Sequence, residues 1–126
     1  MRLHHIGIAV KSIDEAAPYW EKLGFKIDHR EVVKSQSVEV AFVSLGNVWL
    51  ELVQPATEDT PITKFLEKRG EALHHLCFVV DDLKKDSGST QLIREPAKGF
   101  GESMIAFAHP KEFGKILVEF VEKPPY

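Results

Sequence analysis

The chain has 126 residues, 44% of them hydrophobic and 28% charged, with a formal net charge of −3. This length suits one domain that buries its own core. The charge argues against a basic surface for nucleic acid or anionic membranes, and no run approaches the ~20 apolar residues of a membrane span. The single cysteine, Cys77, has no internal partner, and the N-terminus lacks the pattern of a signal peptide, so we expect a cytoplasmic protein.

The first 56 residues predict one strand, one helix and three further strands. Ser12 and Glu15 have the spacing of a capping box and open the predicted helix. Gly46-Asn47 predicts a tight turn between the last two strands. We name residues 1–56 the first module. The predicted strands are 3–10, 25–30, 37–45 and 48–53, and the predicted helix is 13–23.

Residues 57–71 predict a connector that contains a short helix over 62–69. Thr60 suits the N-cap, Pro61 suits the first helical position and Gly70 suits the end of the helix. The connector is too short to separate two independent domains, so we expect a single domain over residues 1–126.

Residues 72–126, the second module, begin with a repeat of the first strand. LHHLCFVV at 73–80 follows LHHIGIAV at 3–10 by 70 positions. Asp81-Asp82 predicts a helix start, but the polar run at 84–89 is a weak helical sequence, and 90–94 fits either helix or strand. Strands are predicted over 103–108 and 115–121. The expected fold is therefore α+β, with two βαβββ modules, the second a looser copy.

The two repeated strands each present one histidine on a face of small side chains. Side chains alternate across a strand, so His5 shares a face with Gly7, and His75 shares a face with Cys77. These faces leave space beside each histidine. We therefore expect a concave pocket into which His5 and His75 point, with the preceding His4 and His74 pointing the other way.

A lone glutamate lies in the last strand of each module. Glu51 follows His5 by 46 positions and Glu119 follows His75 by 44. A glutamate in an apolar strand is costly to bury unless it is paired or binds a cation, although it could also face solvent. Two imidazoles and two carboxylates suit a divalent metal such as zinc, cobalt, nickel, manganese or iron(II). The predicted metal ligands are His5, Glu51, His75 and Glu119.

Five segments resemble one known family: LHHIGIAV, SLGNVWLELVQP, EDTPITKFLEKRG, LHHLCFVVDD and AHPKEFGKILVEF. They span nearly the whole chain and resemble the vicinal oxygen chelate superfamily, most closely its methylmalonyl-CoA epimerase family. The resemblance implies a glyoxalase-like curved mixed sheet around a metal cup, the same four ligands and a homodimer. The chain departs from this family between 82 and 109, where it is several residues shorter.

The resemblance also implies a reaction and its residues. The expected reaction is epimerisation of methylmalonyl-CoA by proton abstraction beside the thioester. Glu119 and Glu39, the latter at a position where certain bacterial members carry a second acidic residue, are the expected acid/base pair. Lys111 in the HPK segment is a weaker candidate for contacting the CoA nucleotide.

Two other functions of the superfamily are alternatives, and a third, the extradiol dioxygenase, fits the sequence less well. A glyoxalase I-type lyase acting on a hemithioacetal would use the same four ligands. A small-molecule binding or resistance protein would need no such metal cup. An extradiol dioxygenase would use two histidines and one carboxylate, in a chain that is usually much longer.

Overall fold

The computed structural model describes all of residues 1–126, which form one curved mixed sheet of eight strands with three α-helices. The expected α+β, glyoxalase-like fold is confirmed. Every helix falls short of the length and apolar character that crossing a membrane requires. The strands are β1 Arg2–Ala9, β2 Ile27–Val33, β3 Val38–Ser44, β4 Trp49–Pro55, β5 Ala72–Val80, β6 Ala97–Lys98, β7 Met104–Ala108 and β8 Val118–Glu122; the helices are α1 Ile13–Glu21, α2 Pro61–Arg69 and α3 Leu83–Asp86.

The strand order has an approximate two-fold symmetry. The order is β2-β3-β4-β1-β5-β8-β7-β6, in which β1 pairs with β4 and β5 pairs with β8 in parallel. The two repeated strands, β1 and β5, lie antiparallel at the centre of the sheet, and Ile6 pairs with Leu76, its own counterpart 70 positions later. The pseudo-two-fold axis therefore passes through this pair, and the two modules meet there.

The helix ends follow the predicted chemistry. Ser12 accepts a hydrogen bond from the backbone N–H of Glu15 at 3.2 Å and so caps α1. Thr60 accepts from the N–H of Thr63 at 3.1 Å and caps α2, with Pro61 at the first helical position. These contacts satisfy backbone donors that would otherwise lack a partner at each N-terminus.

The hydrophobic core is divided between the two faces of the sheet. One cluster lies on the inner, concave face and draws residues from both modules, including Phe42, Cys77 and Phe100. A second cluster packs α1 against β3 and β4 around Ile13. A third packs α3 against β7 and β8 around Leu83. Of the three clusters, only the inner one contains residues of both modules.

The second module is smaller than the predicted copy. Helix α3 has four residues, and β6, which was not predicted, has two. Residues 90–94 form neither helix nor strand, and only an isolated bridge joins Leu92 to Ala108. The last strand begins at Val118, three residues later than predicted, because the chain is still turning beyond Gly114. The short helix agrees with the polar sequence that follows Asp82.

Candidate metal centre

The structure brings the four predicted metal ligands together in one buried cluster. Their ligand atoms all lie within 4.8 Å of one another. The Nε2 atom of His5 is 3.4 Å from Oε1 of Glu51 and 3.1 Å from Oε1 of Glu119. The Nε2 atom of His75 is 3.1 Å from each of the same oxygens. All four side chains are buried.

The four central strands position these side chains in the same way in both modules. On β4, Glu51 pairs in parallel with Gly7 of β1, two residues beyond His5 and on the same face. On β8, Glu119 pairs in parallel with Cys77 of β5, two residues beyond His75. Because β1 and β5 are themselves neighbours, the two histidine and glutamate pairs face each other across the axis.

The spacing of the four ligand atoms fits a divalent metal ion. Donors that lie about 2.1 Å from one ion are about 3.0 Å apart at right angles and about 3.4 Å apart at the tetrahedral angle. The measured separations fall in this range, and so does the 3.1 Å between Nε2 of His5 and Nε2 of His75. Two imidazole nitrogens and two carboxylate oxygens converge on one point, and a cation there would satisfy all four.

The charges of the metal-free cluster are strongly perturbed. Burial acts to lower the pKa of His5, but the charge of Glu51 and hydrogen bonds to Glu119 and Glu51 outweigh it and raise that pKa to about 10. Burial acts to raise the pKa values of the two carboxyls, but the two histidines hold both below their usual range. Protons therefore occupy the imidazoles and must leave when a metal binds.

The expectation that His4 and His74 point away from the site is wrong. Nδ1 of His4 is 2.7 Å from Nδ1 of His5, and Nδ1 of His74 is 2.8 Å from Nδ1 of His75. The β1–β5 register shifts at His4 and again at His74. Each shift places one extra residue in its strand, which re-aims the side chain and breaks the simple alternation. Each module therefore supplies a pair of hydrogen-bonded histidines.

A backbone oxygen fixes the proton positions in the first pair. Nε2 of His4 is 2.6 Å from the backbone oxygen of Tyr126 and donates to it. Nδ1 of His4 can then only accept, so Nδ1 of His5 is the donor and its Nε2 is directed at the cluster. Tyr126 is itself held by a 2.7 Å hydrogen bond from its hydroxyl to Glu31 and by stacking on His29 at 3.7 Å between ring centroids. Such partners orient metal-binding imidazoles.

The second pair has a different environment. His74 is half-buried, and the edge of Phe65 contacts its ring at 4.8 Å between centroids. Burial, together with the charge of His75, lowers the pKa of His74 to about 4, so the ring is neutral. No protein atom accepts a hydrogen bond from its Nε2.

One glycine permits the position of the His75 ring. A Cβ atom at Gly7 would lie 2.1 to 2.7 Å from three atoms of that ring, closer than any real contact. Any other residue at this point of β1 would therefore displace His75 from the cluster. The equivalent position of β5 is Cys77, which pairs with His5.

The cluster lies against a cavity of about 330 Å³ with mostly apolar walls. His75, Glu51 and Glu119 contribute polar atoms to its lining, and His74 also borders it. The apolar wall comes from both modules and includes Val38, Val40, Val53, Ile62, Phe100, Ile105, Phe107 and Leu117. An apolar pocket with a few convergent polar groups is typical of a small-molecule site.

The structure does not bring Glu39 to the cluster, which disagrees with its expected role in the acid/base pair. Val38 and Val40 line the cavity, and Glu39 between them faces the opposite side of β3. Its carboxylate accepts a 2.6 Å hydrogen bond from Nε of Arg30, which also binds Asp14 of α1 at 2.6 Å. Glu39 therefore belongs to an ion-pair network on the helix side of the sheet.

Lys111 lies exposed in the turn between β7 and β8, outside the residues that line the cavity. The ring of His109 accepts a hydrogen bond from the backbone N–H of Lys111 at 3.2 Å, and the lysine side chain is exposed to solvent. Its contact with a CoA nucleotide stays a prediction.

The sequence and fold of this chain match those of known proteins. A family model for the glyoxalase/bleomycin resistance protein/dioxygenase superfamily matches residues 4–101. The chain belongs to this superfamily. Within it, the mitochondrial methylmalonyl-CoA epimerase of Homo sapiens is 36% identical over 94% of this chain and 72% of the human protein. The uncharacterised Bacillus subtilis protein YqjC is 44% identical over 96% of this chain and 91% of its own length.

Solved structures of the superfamily agree. A Streptomyces coelicolor methylmalonyl-CoA epimerase variant in complex with 2-nitronate-propionyl-CoA has a TM-score of 0.90 at 32% identity, over 97% of this chain and 94% of that one. The sequence-based assignment to this superfamily is confirmed.

Proposed function

We propose that the protein is a metal-dependent epimerase of methylmalonyl-CoA, which moves the proton on the carbon between the thioester and the carboxylate. The observation that carries this proposal is the buried cluster of two histidines and two glutamates beside an apolar cavity. Its support is the similarity to methylmalonyl-CoA epimerases over almost the whole chain.

His5, Glu51, His75 and Glu119 are the residues that would hold the metal. A bound divalent ion supplies a Lewis acid for the thioester and carboxylate oxygens of the substrate. The mostly apolar walls lower the local polarity, which strengthens charge interactions inside the cavity.

Inversion of a stereocentre needs a proton acceptor on one face of the carbon and a proton donor on the other. Glu119 was expected in one of these roles from the sequence and lines the cavity. Because Glu39 lies across the sheet, we assign the opposing role to Glu51, the other buried carboxylate of the lining. The histidines of the cluster lower the pKa values of both carboxyls, which keeps them ionised in the metal-free fold.

The direct test is proton NMR of methylmalonyl-CoA in D2O with cobalt-loaded protein. Wild type should exchange the α-proton for deuterium, and Glu119→Gln should not. A folded, metal-loaded wild type that leaves the α-proton signal intact would overturn the proposal.

A glyoxalase I-type lyase is the second candidate, because it too shuttles a proton between carbons beside a metal. The pair of cavity-facing glutamates, Glu51 and Glu119, serves that reaction equally well. The hemithioacetal of methylglyoxal and glutathione, tested under the same conditions, separates the two. A protein that binds either compound without exchange would be a binding module.

Three further expectations stay predictions. An acyl-CoA is the expected partner, with Lys111 a candidate for contacting its nucleotide. A homodimer and a cytoplasmic location are also expected, the former from the family resemblance.

A further inference from the structure

The imidazole of His74 has one nitrogen that no protein group satisfies. Its Nδ1 is 2.8 Å from Nδ1 of His75, and its ring borders the cavity. The equivalent histidine of the first module has no such freedom. His4 is 1% exposed, and its Nε2 donates to the backbone oxygen of Tyr126 at 2.6 Å. The two modules therefore use the same residue type in two different ways.

The hydrogen bond to His75 decides which nitrogen of His74 carries the proton. When Nε2 of His75 serves as a metal ligand, the ring proton of His75 must lie on Nδ1, which then donates to Nδ1 of His74, 2.8 Å away. Nδ1 of His74 accepts, and a ring that accepts at Nδ1 carries its own proton on Nε2. His74 thus has an N–H donor with no acceptor in the protein.

The cavity otherwise has few donors close to the cluster. Besides His75, which faces the glutamates, the donor side chains of the lining are Gln36, Arg94 and His74. Arg94 is exposed. Of these three donors, only His74 is next in the chain to a residue of the cluster and hydrogen-bonded to it. The remaining polar lining consists of carboxylates, which repel an anionic substrate.

We propose that His74 is a substrate-binding residue whose Nε2–H donates a hydrogen bond to an acyl oxygen of the substrate in the cavity. This inference rests on the proposed function and adds a protein donor to it. A hydrogen bond to an oxygen on which negative charge develops is stronger in the transition state than in the ground state. The loss of this bond should therefore lower kcat/KM.

Two substitutions distinguish the roles of the two ring nitrogens of His74. The amide oxygen of asparagine lies about where Nδ1 does, so His74→Asn keeps the acceptor for His75 and removes the donor. The amide nitrogen of glutamine reaches about as far as Nε2, so His74→Gln keeps the donor and removes the acceptor. At equal metal occupancy we expect His74→Asn to lower kcat/KM about tenfold or more, with metal affinity within about threefold of wild type. His74→Gln should weaken metal binding and retain most of kcat/KM.

His109→Asn is the matched control, because it makes the same change in the turn between β7 and β8, at a histidine outside the cavity lining whose Nδ1 also accepts a hydrogen bond. It should leave kcat/KM unchanged at equal metal occupancy. Unchanged kcat/KM in His74→Asn, or a loss in kcat/KM that only follows lost metal, would overturn the assignment.

Calorimetric binding of methylmalonyl-CoA to the same cobalt-loaded proteins separates this inference from the proposed function. If wild type binds the thioester but exchanges no proton, the epimerase proposal fails. In that case, weaker binding by His74→Asn than by wild type still supports the role of His74, and equal binding overturns it. A wild type that neither binds nor exchanges overturns both.

Discussion

The most informative residues of this chain are the two consecutive histidines of each repeated strand. Their spacing from Glu51 and Glu119 predicted the four residues that the structure brings together. The roles of His4 and His74 could not be predicted, because simple alternation fails wherever a strand carries an extra residue. The repeated HH pair was the one signal that both members of each pair matter.

Gly7 provides a test of whether the position of the His75 ring matters. A methyl group at Gly7→Ala would overlap this ring, so we expect cobalt affinity to fall by about 100-fold, in line with the loss of a well-oriented ligand. Cobalt titration followed by visible absorption measures this. Gly46→Ala is the control: its φ of +102 makes alanine strained, but nothing lies within 4 Å of the added Cβ. It should lower stability and keep metal affinity, and a Gly7→Ala protein with wild-type affinity would contradict the argument.

Glu39 tests the face assignment of β3. Its partner Arg30 is 34% exposed, and exposed ion pairs contribute about 0–1 kcal/mol. Glu39→Gln should therefore keep activity within about twofold and change stability little, whereas Glu51→Gln and Glu119→Gln should each abolish deuterium exchange. The same NMR assay measures all three. Loss of exchange in Glu39→Gln alone would show that this carboxylate reaches the reacting carbon after all.

At the scale of elements, local sequence predicted the helix starts and most strands. The caps at Ser12 and Thr60 depend on short-range hydrogen bonds that three or four residues specify. The side of the sheet on which Glu39 lies was harder to predict, because a register error of one residue moves a strand side chain to the opposite face. The reduced β6 was missed because a two-residue strand has no periodicity to detect.

The cap of α2 should contribute to stability independently of the site. Thr60 is buried and accepts a hydrogen bond from the N–H of Thr63, so Thr60→Ala should cost about 1 kcal/mol and lower Tm by roughly 3–6 °C. Thermal unfolding measures this, with the exposed Thr57→Ala as the control. Cobalt affinity should stay unchanged, and an equal loss of affinity would mean that α2 also positions the metal ligands.

For the whole molecule, the metal cluster is a contact between the two modules. Each contributes one histidine and one glutamate, and the inner hydrophobic cluster surrounds the same junction. A metal that binds only the folded chain stabilises it by about 2.7 kcal/mol at 100 times its Kd, which is roughly 10 °C in Tm. Differential scanning calorimetry with cobalt and with a chelator measures the shift, and Glu119→Gln should abolish it.

The size of this shift should depend on pH. The pKa of His5 is about 10 in the metal-free folded protein, against an ordinary value of 6.5 for the unfolded chain. Its protonation therefore stabilises the metal-free protein fully below about pH 6.5, and this contribution is lost as pH rises through 10. The metal competes with the same proton, so the affinity of the protein for the metal rises with pH over that range.

The difference in Tm between the protein with cobalt and with a chelator should therefore grow between about pH 6.5 and 8.5. Calorimetry in buffers of different ionisation enthalpy should detect the release of the proton. A Tm difference that is constant with pH would contradict the predicted protonation.

The pairing of Ile6 with its counterpart Leu76 places the cluster on a pseudo-two-fold axis. A symmetric dimer of one module could bring two copies of the same histidine and glutamate to such an axis, but every residue would then occur twice. In this chain Gly7 and Cys77 occupy equivalent positions, yet there is no space for a side chain at Gly7 beside His75, whereas Cys77 carries one where it pairs with His5. Likewise, His4 donates a hydrogen bond to a backbone oxygen, whereas His74 lines the cavity. Covalent fusion of the two halves is what lets the two sides of one ion become chemically different, and a reaction that distinguishes the two faces of a carbon requires that difference.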